Sequence, residues 1–405
     1  MTISDQANQV IDLVKAAGAS GDLIIDQGES LSLKASDGEL EEYKVSSSQI
    51  FGLRVIKDGK VGTAYSEAAD SDALSSLVEQ ALTNASFTAI EVHEKILSNE
   101  VTLKTDDLVL CPAEEVSIDE KVNFALKMES DLAAKDKVKN VPYNGVQDNT
   151  TQRHIFSSAG LNAYSKSRMC AAYAYALIEQ GDKNAMEGIG QAARLFAALD
   201  ANDIVEKAYT HTLNILDGSP VPSGHYDVIF DEEVQASLFG VFTLMFSGKS
   251  AKDGVNPMRE KLGDSIADSR LNITDQPLIT EGFGYQLFDA EGTATQSTPL
   301  IVNGTLNTLI HNSATASFFD MQTTGHAARG PKSTMGVRLH QLEIAAGRDS
   351  QTDLFSGKYL MLTDLTGMHS GANAISGDFS FGASGFLYED GQLRQPVRGV
   401  TVAAN

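Results

Sequence analysis

The run Asp217-Gly218-Ser219-Pro220-Val221-Pro222-Ser223-Gly224 constrains the fold of this chain more than any other segment. Its prolines lack the N–H that a helix interior or an inner strand requires, and its glycines and serines favour turns. No regular element is therefore expected to pass through it. The 405 residues divide there into two expected domains, 1–218 and 224–405, the first open to subdivision near 110–117. With 42% hydrophobic residues, each part is large enough to bury a core of its own.

Hydrophobic spacing before the linker predicts an N-terminal helix with Val10, Ile11, Val14 and Ala17 on one face, capped by Ser4 or Asp5 and stopped by Gly18. Short β-like runs follow at 23–25, 30–34, 42–46, 50–56 and 60–65, with Asp58-Gly59 as a hairpin turn between the last two. Asp70 or Ser71 then caps a helix on which Leu74, Leu77, Val78 and Leu82 recur at helical spacing. Ser117-Ile118-Asp119-Glu120 is a capping-box pattern and opens another. Two longer β-like stretches, 151–156 and 165–179, precede a helical segment over 202–216. Beyond the linker, 226–230 reads as a buried strand feeding a helix with Val234, Leu238, Val241, Phe242 and Met245 on one side. The remainder is rich in Gly, Thr and Ser with short alternating runs. The expected class is α+β, with hairpins and helices in the first domain and a sheet-dominated second one.

The formal charge of −23 repels a phosphate backbone, so no nucleic acid is expected as partner. No stretch approaches the roughly 20 apolar residues that span a bilayer, and the N-terminus lacks a basic and apolar leader. No membrane association and a cytoplasmic location are expected. Cys111 and Cys170 form no CxxC pair and read as buried free thiols.

Few motifs point to chemistry. None of the eight histidines pairs at i,i+4, and HExxH, GxSxG and GxxxxGK[ST] are all missing, so no metal and no cofactor are expected. Two stretches stand out. Phe288-Asp289-Ala290-Glu291-Gly292-Thr293-Ala294-Thr295 places two carboxylates close together, either as an acid–base or cation-binding pair or as a turn held by side-chain to backbone hydrogen bonds. Ser376-Gly377-Asp378-Phe379-Ser380-Phe381-Gly382-Ala383-Ser384-Gly385-Phe386 alternates small residues with phenylalanine, as in a tightly packed strand or one whose backbone approaches a ligand.

Taken in order, Gly52-Leu53-Arg54-Val55, Asp58-Gly59-Lys60-Val61-Gly62, Phe288 to Gly292, Thr324-Gly325-His326-Ala327 and the 376–385 segment resemble the TldD/PmbA family over essentially the whole chain. In that family a TldD-type subunit carries HExxxH on a helix opening the C-terminal domain and pairs with a TldE-type subunit that lacks it. The matching segment here is Asp231-Glu232-Glu233-Val234-Gln235-Ala236, so Asp231 and Ala236 stand at the histidine positions and only Glu232 matches. Asp231 reads as an N-cap, with Glu232 and Glu233 at the positive end of the helix dipole. The cysteine-bearing segment of TldD proteins has no counterpart, and the C-terminal domain looks shorter than in relatives.

The resemblance implies a non-catalytic TldE/PmbA-type subunit of a heterodimer with a TldD-type metallopeptidase. Such a complex trims unfolded peptides, such as precursors of ribosomally made peptide products or antitoxins. Asp289, Glu291, Gly292, His326, Asp378, Ser380, Gly382 and Ser384 are then expected near a shared chamber, where an extended peptide adds to the 376–386 strand. Two alternatives stay open. One is a stand-alone hydrolase using Glu232 with Asp231 or His326, and the other is a homodimeric peptide-binding protein.

Overall fold

The structure is a computed structural model that describes residues 1–98 and 100–405. Helix α1 (Ile3–Ala16) starts earlier than expected, because Thr2 is the N-cap and Asp5 closes the capping box from the third helical position. Strands β1 (Ser20–Ser36) and β2 (Glu39–Lys57) each run through two of the expected short strands. Polar side chains do not end a ladder that backbone pairing continues. Asp26, for example, lies opposite Ile50 on one side and Arg153 on the other, and the Arg153 guanidinium binds its carboxylate with two hydrogen bonds of 2.7 Å. The Asp58-Gly59 turn, with both φ values positive, leads into β3 (Lys60–Ser66).

Helix α2 (Ser71–Phe87) is capped by Asp70, and after β4 (Thr102–Lys104) and α3 (Asp107–Leu110) helix α4 (Ile118–Ala133) opens on the Ser117/Glu120 capping box. Then come β5 (Val138–Ser157), β6 (Asn162–Gln180), β7 (Lys183–Ala193) and α5 (Ala201–Leu216). The sequence reading missed β7, whose glycines and alanines carry little apolar signal. Gly188 there lies against Tyr175 so closely that a Cβ would meet the ring at 2.3 Å. All seven strands form one sheet in the order β3-β2-β1-β5-β6-β4, with β7 on the edge of β6.

Strand alternation decides what each face of this sheet touches. Leu23, Ile25, Leu31 and Leu33 of β1 share one face, where α1 and α2 cover the first pair and α4 and α5 the second. Each such side chain contributes about 1.5–3 kcal/mol on burial, so these contacts, more than local propensity, hold the helices. Helix α2 sits so close to β3 that a Cβ on Gly62 would meet the Ala81 carbonyl at 2.1 Å. On the opposite face, Ile24, Ile155 and Ala163 pack with Phe288 of the C-terminal half.

That half contains β8 (Asp227–Phe230), α6 (Glu232–Val241), α7 (Gly248–Lys252), β9 (Ile273–Asp275), β10 (Thr298–Val302), β11 (Thr305–Leu306) and α8 (Ser313–Phe318). They are followed by β12 (Ala327–Ala328), β13 (Gly336–Val337), β14 (Leu342–Ile344), β15 (Lys358–Thr366), β16 (Phe379–Glu389) and β17 (Gln392–Ala404). One sheet has the order β17-β16-β15-β8, with β8 parallel to β15; a second is β11-β10-β9-β14, and β12 pairs with β13. Strand β8 is a partly exposed edge strand rather than the buried one expected. The helix after it ends at Val241, and the chain tightens into a 3₁₀ turn over Thr243–Phe246. The α+β class stands, with helices on one face of a long sheet and a second, sheet-rich part against the other.

A buried ionic cluster joins the two parts. Asp22 accepts from Arg54 Nε at 2.8 Å and Nη2 at 2.6 Å through one oxygen, and from Arg329 Nη2 through the other. Arg54 Nη1 also binds Glu94 at 2.8 Å, and Arg329 reaches the carbonyl of Gly52. Arg54 and Arg329 are 1% and 4% exposed, so these charges depend on one another rather than on water.

Candidate functional site

The N-terminus of α6 follows directly from β8, and Asp231 is the residue at the junction. Its N–H donates to the Leu362 carbonyl at 3.1 Å, and its Oδ1 accepts from the Val234 N–H at 3.0 Å. It is the helix N-cap, as expected, with Glu232 and Glu233 exposed in the first turn. Ala236 is exposed and offers only a methyl group. A catalytic zinc needs three side-chain ligands around an open position. Here one of the two histidine positions holds a capping carboxylate and the other has no ligand atom, so these residues do not fit the metal. Asp231→Ala is expected to cost about 1 kcal/mol of stability, the ordinary loss for a helix cap, measured by urea unfolding.

The surroundings are acidic. Asp364 of β15 lies near Asp231 and Glu187 of β7 near Asp364; burial first, and then the neighbouring carboxylate, push both carboxyls up, Glu187 to about 7. The Arg398 guanidinium opposes the shift at Glu187.

The other expected site residues fall into three groups, two of which adjoin: Ala327, next to His326, donates its N–H to Asp289. Asp289 is a turn anchor: Oδ1 accepts from the N–H groups of Glu291 and Thr293, both at 2.9 Å, and Oδ2 from Ala327 N–H at 2.9 Å. Glu291 accepts from Ser313 N–H at 2.9 Å and Ser313 Oγ at 2.6 Å, and burial pushes its carboxyl up to about 7 against those bonds and the nearby Arg54. Gly292 has φ +77°, which the turn requires. Of the two readings of 288–295, the structure has the hydrogen-bonded turn.

Strand addition to 376–386 is corrected by the topology. Strand β16 is interior, paired with β15 over 382–389 and with β17 over 379–389, while Ser380 N–H donates to Gly371 O at 2.7 Å. An extended peptide finds no free edge there. Gly382 and the buried Ser384 lie inside this sheet, Ser380 is exposed, and Asp378 accepts from Ser376 Oγ at 2.7 Å and from Asn405 Nδ2 at 2.8 Å at its rim.

His326 belongs to the third group, beside the Asp289 turn, and the sequence reading missed its partners. Asp275 Oδ2 is hydrogen-bonded to His326 Nε2 at 2.9 Å and to His340 Nδ1 at 2.8 Å, while Oδ1 accepts from the N–H groups of His340 and Gln341 at 2.8 and 2.9 Å. The other nitrogen of His326 is 2.8 Å from Thr324 Oγ1. Burial opposes ionisation of Asp275, but the bonds from His326 and His340 outweigh it and hold the carboxyl at about 2. Among the described residues this is the one group of three His, Cys, Asp or Glu side chains with ligand atoms within 4.8 Å of one another. Zinc with bonds of about 2.0–2.1 Å spreads its tetrahedral ligands to about 3.3 Å apart. Here both nitrogens are at hydrogen-bonding distance from one carboxylate oxygen, so the group reads as a hub that ties β9 to the following loops. His326, buried and engaged at both nitrogens, does not serve as the partner that a hydrolase using the exposed Glu232 would need. Separations of 51 and 65 residues leave no spacing signal by which the sequence could have revealed the hub. Of the cysteines, Cys170 is buried with its thiol pushed up to about 12 by burial and by Asp148, and Cys111 is half-buried.

Comparison with known proteins places three segments in one family, described as PmbA/TldA metallopeptidase. Residues 21–85 match its domain 1, 111–216 its central domain and 223–405 its C-terminal domain. Metalloprotease PmbA of Escherichia coli O157:H7 is 25% identical over 411 residues, covering 100% of this chain and 88% of that protein. A metalloprotease PmbA homolog of Haemophilus influenzae is 25% identical, with 97% and 86% coverage. The crystal structure of TldE from Thermococcus kodakarensis shares the fold at a TM-score of 0.84 and 21% identity, covering 100% of this chain and 91% of that one. A Thermotoga maritima structure described as a modulator of a DNA gyrase does so at 0.86 and 24%, with 100% and 92% coverage.

Proposed function

Because this chain belongs to the PmbA/TldD family, we propose that it is a non-catalytic subunit of the TldE/PmbA type, supporting a TldD-type metallopeptidase that acts on unfolded peptides. The observation that carries this reading is the start of α6, where Asp231 is consumed as a cap and Ala236 has no ligand atom. Neither Asp231 nor Ala236 completes a zinc site beside Glu232, so in this reading Glu232 has no metal-bound water to polarise. The interior position of β16 moves the question of peptide docking away from that strand and towards surfaces formed with the partner. No helix among the described residues is long and apolar enough to cross a membrane.

The test is to measure bound zinc and hydrolysis of an unstructured peptide for this chain alone, for the TldD-type protein of the same organism alone, and for the mixture. Hydrolysis that appears or rises strongly only in the mixture, with zinc held by the partner, is the expected result. Stoichiometric zinc and turnover in this chain alone, abolished by Glu232→Gln, would replace the reading with that of a self-sufficient hydrolase.

A further inference from the structure

The face of the long sheet that meets the C-terminal half is not covered along its whole length. A cleft of about 580 Å³ lies between them. Its floor is built by strand register, which sets Thr151 opposite Ser167 and Arg153 opposite Ser165, all on the face that also carries Ile155. The lining also includes Arg329 and Arg338, together with Phe283 and Tyr285.

Three arginines around one cleft are unexpected in a chain of net charge −23. Two of them are partly used: Arg153 pairs with Asp26, and Arg329 with Asp22. Arg338 is exposed; its backbone N–H donates to the His326 carbonyl at 3.1 Å, but its guanidinium has no hydrogen-bond or ion-pair partner among the described residues. Two further donors are orphaned inside the lining. Thr105 Oγ1 and Arg329 Nε have no hydrogen-bond partner among the described residues, although these residues are only 7% and 4% exposed. A buried donor without a partner is unfavourable, and a ligand acceptor would relieve that cost. The one carboxylate in the lining, Asp289, does not compete for these donors, because both its oxygens already accept backbone N–H groups. The cleft therefore offers donors and positive charge, with an apolar flank: Phe283 is 52% exposed beneath the Arg194 guanidinium, 5.4 Å from its ring centroid.

We propose that this cleft binds an organic carboxylate with an apolar group beside it, the chemistry of the C-terminal residue of a peptide. Arg338, with Arg153 behind it, takes the carboxylate, and Phe283 and Tyr285 flank the side chain. Calling the ligand a peptide end rests on the function proposed above; the recognition of a carboxylate beside an apolar group does not.

The test is calorimetric titration of the full chain, without any partner, with N-acetyl-phenylalanine, with its amide and with inorganic phosphate. The acid is expected to bind about tenfold more tightly than the amide, to weaken with added salt, and to lose about tenfold in Arg338→Gln and severalfold in Phe283→Ala. Both substitutions are at exposed positions, and thermal melting verifies that each variant is folded. Equal binding of acid and amide, or indifference to Arg338→Gln in a folded variant, would overturn the proposal. Phosphate binding as tightly as the acid with no effect of Phe283→Ala would also overturn it, leaving a simple anion site. Because no hydrolysis is measured, failure here leaves the subunit reading intact, and failure of the mixing experiment leaves the carboxylate site intact.

Discussion

Arg54→Ala is expected to destabilise the protein by about 3–5 kcal/mol, the range for removing one partner from a buried ionic group. The substitution takes two hydrogen bonds from Asp22 and one from Glu94, and those carboxylates sit where water reaches poorly, with side chains 7% and 13% exposed. Arg329 remains beside Asp22 but faces only one of its oxygens. Arg54→Lys should recover only part of the loss, since an ammonium cannot reproduce the guanidinium fork that reaches both carboxylates. The measurement is urea unfolding followed by circular dichroism. A cost below about 1 kcal/mol for Arg54→Ala would show that the cluster is solvated in solution and does not hold the two parts together.

Asp275→Asn is the second large effect, at about 3 kcal/mol near neutral pH. The amide keeps the shape of the carboxylate but turns an acceptor-only group into one with a donor NH₂, so at least one of the four hydrogen bonds from His326, His340 and the two backbone N–H groups is lost. The pH dependence follows from the sign of the shift. The folded carboxyl sits at about 2, below its ordinary value of 3.8. Its contribution is therefore fully present above about pH 4 and disappears as pH falls from there through 2, a change on the order of 2 kcal/mol. The stability gap between wild type and Asp275→Asn should narrow by about that amount over the window. Glu187 and Glu291 act with the opposite sign. Their folded values near 7 lie above the ordinary 4.5, so their contributions are present below about pH 4.5 and fade as pH rises through 7. A gap that stays constant from pH 5 to 2 would remove Asp275 as the source.

Much of the N-terminal half is legible because its signals are local. The Ser117/Glu120 capping box, the Asp70 cap and the Asp58-Gly59 turn each act within a few residues, and each lies where the sequence reading puts it. The strand lengths were harder. Polar runs at 26–29 and 47–49 look like breaks, yet a strand is continued by its neighbours, and one of the two neighbours of β1, the strand β5, comes from residues far along the chain. Strand β7 had no signal at all, since glycine and alanine opposite tyrosine fill space without hydrophobic weight.

That α6 opens without a histidine pair was determined by the sequence alone, because a methyl group at Ala236 and an acid at Asp231 are facts of covalent structure, and no fold could turn them into imidazoles. The cap role of Asp231 was equally local. Only the tertiary structure decided the fate of the remaining candidates. It spent Asp289 and Glu291 on a turn and a helix start, closed both sides of β16, and brought Asp275, His326 and His340 into one buried hub and Arg153, Arg329 and Arg338 around one cleft. The physical reason is range. Caps and turns are satisfied by hydrogen bonds within about four residues, whereas buried charges and sheet edges must find partners wherever packing delivers them, here as far as 307 residues away between Asp22 and Arg329.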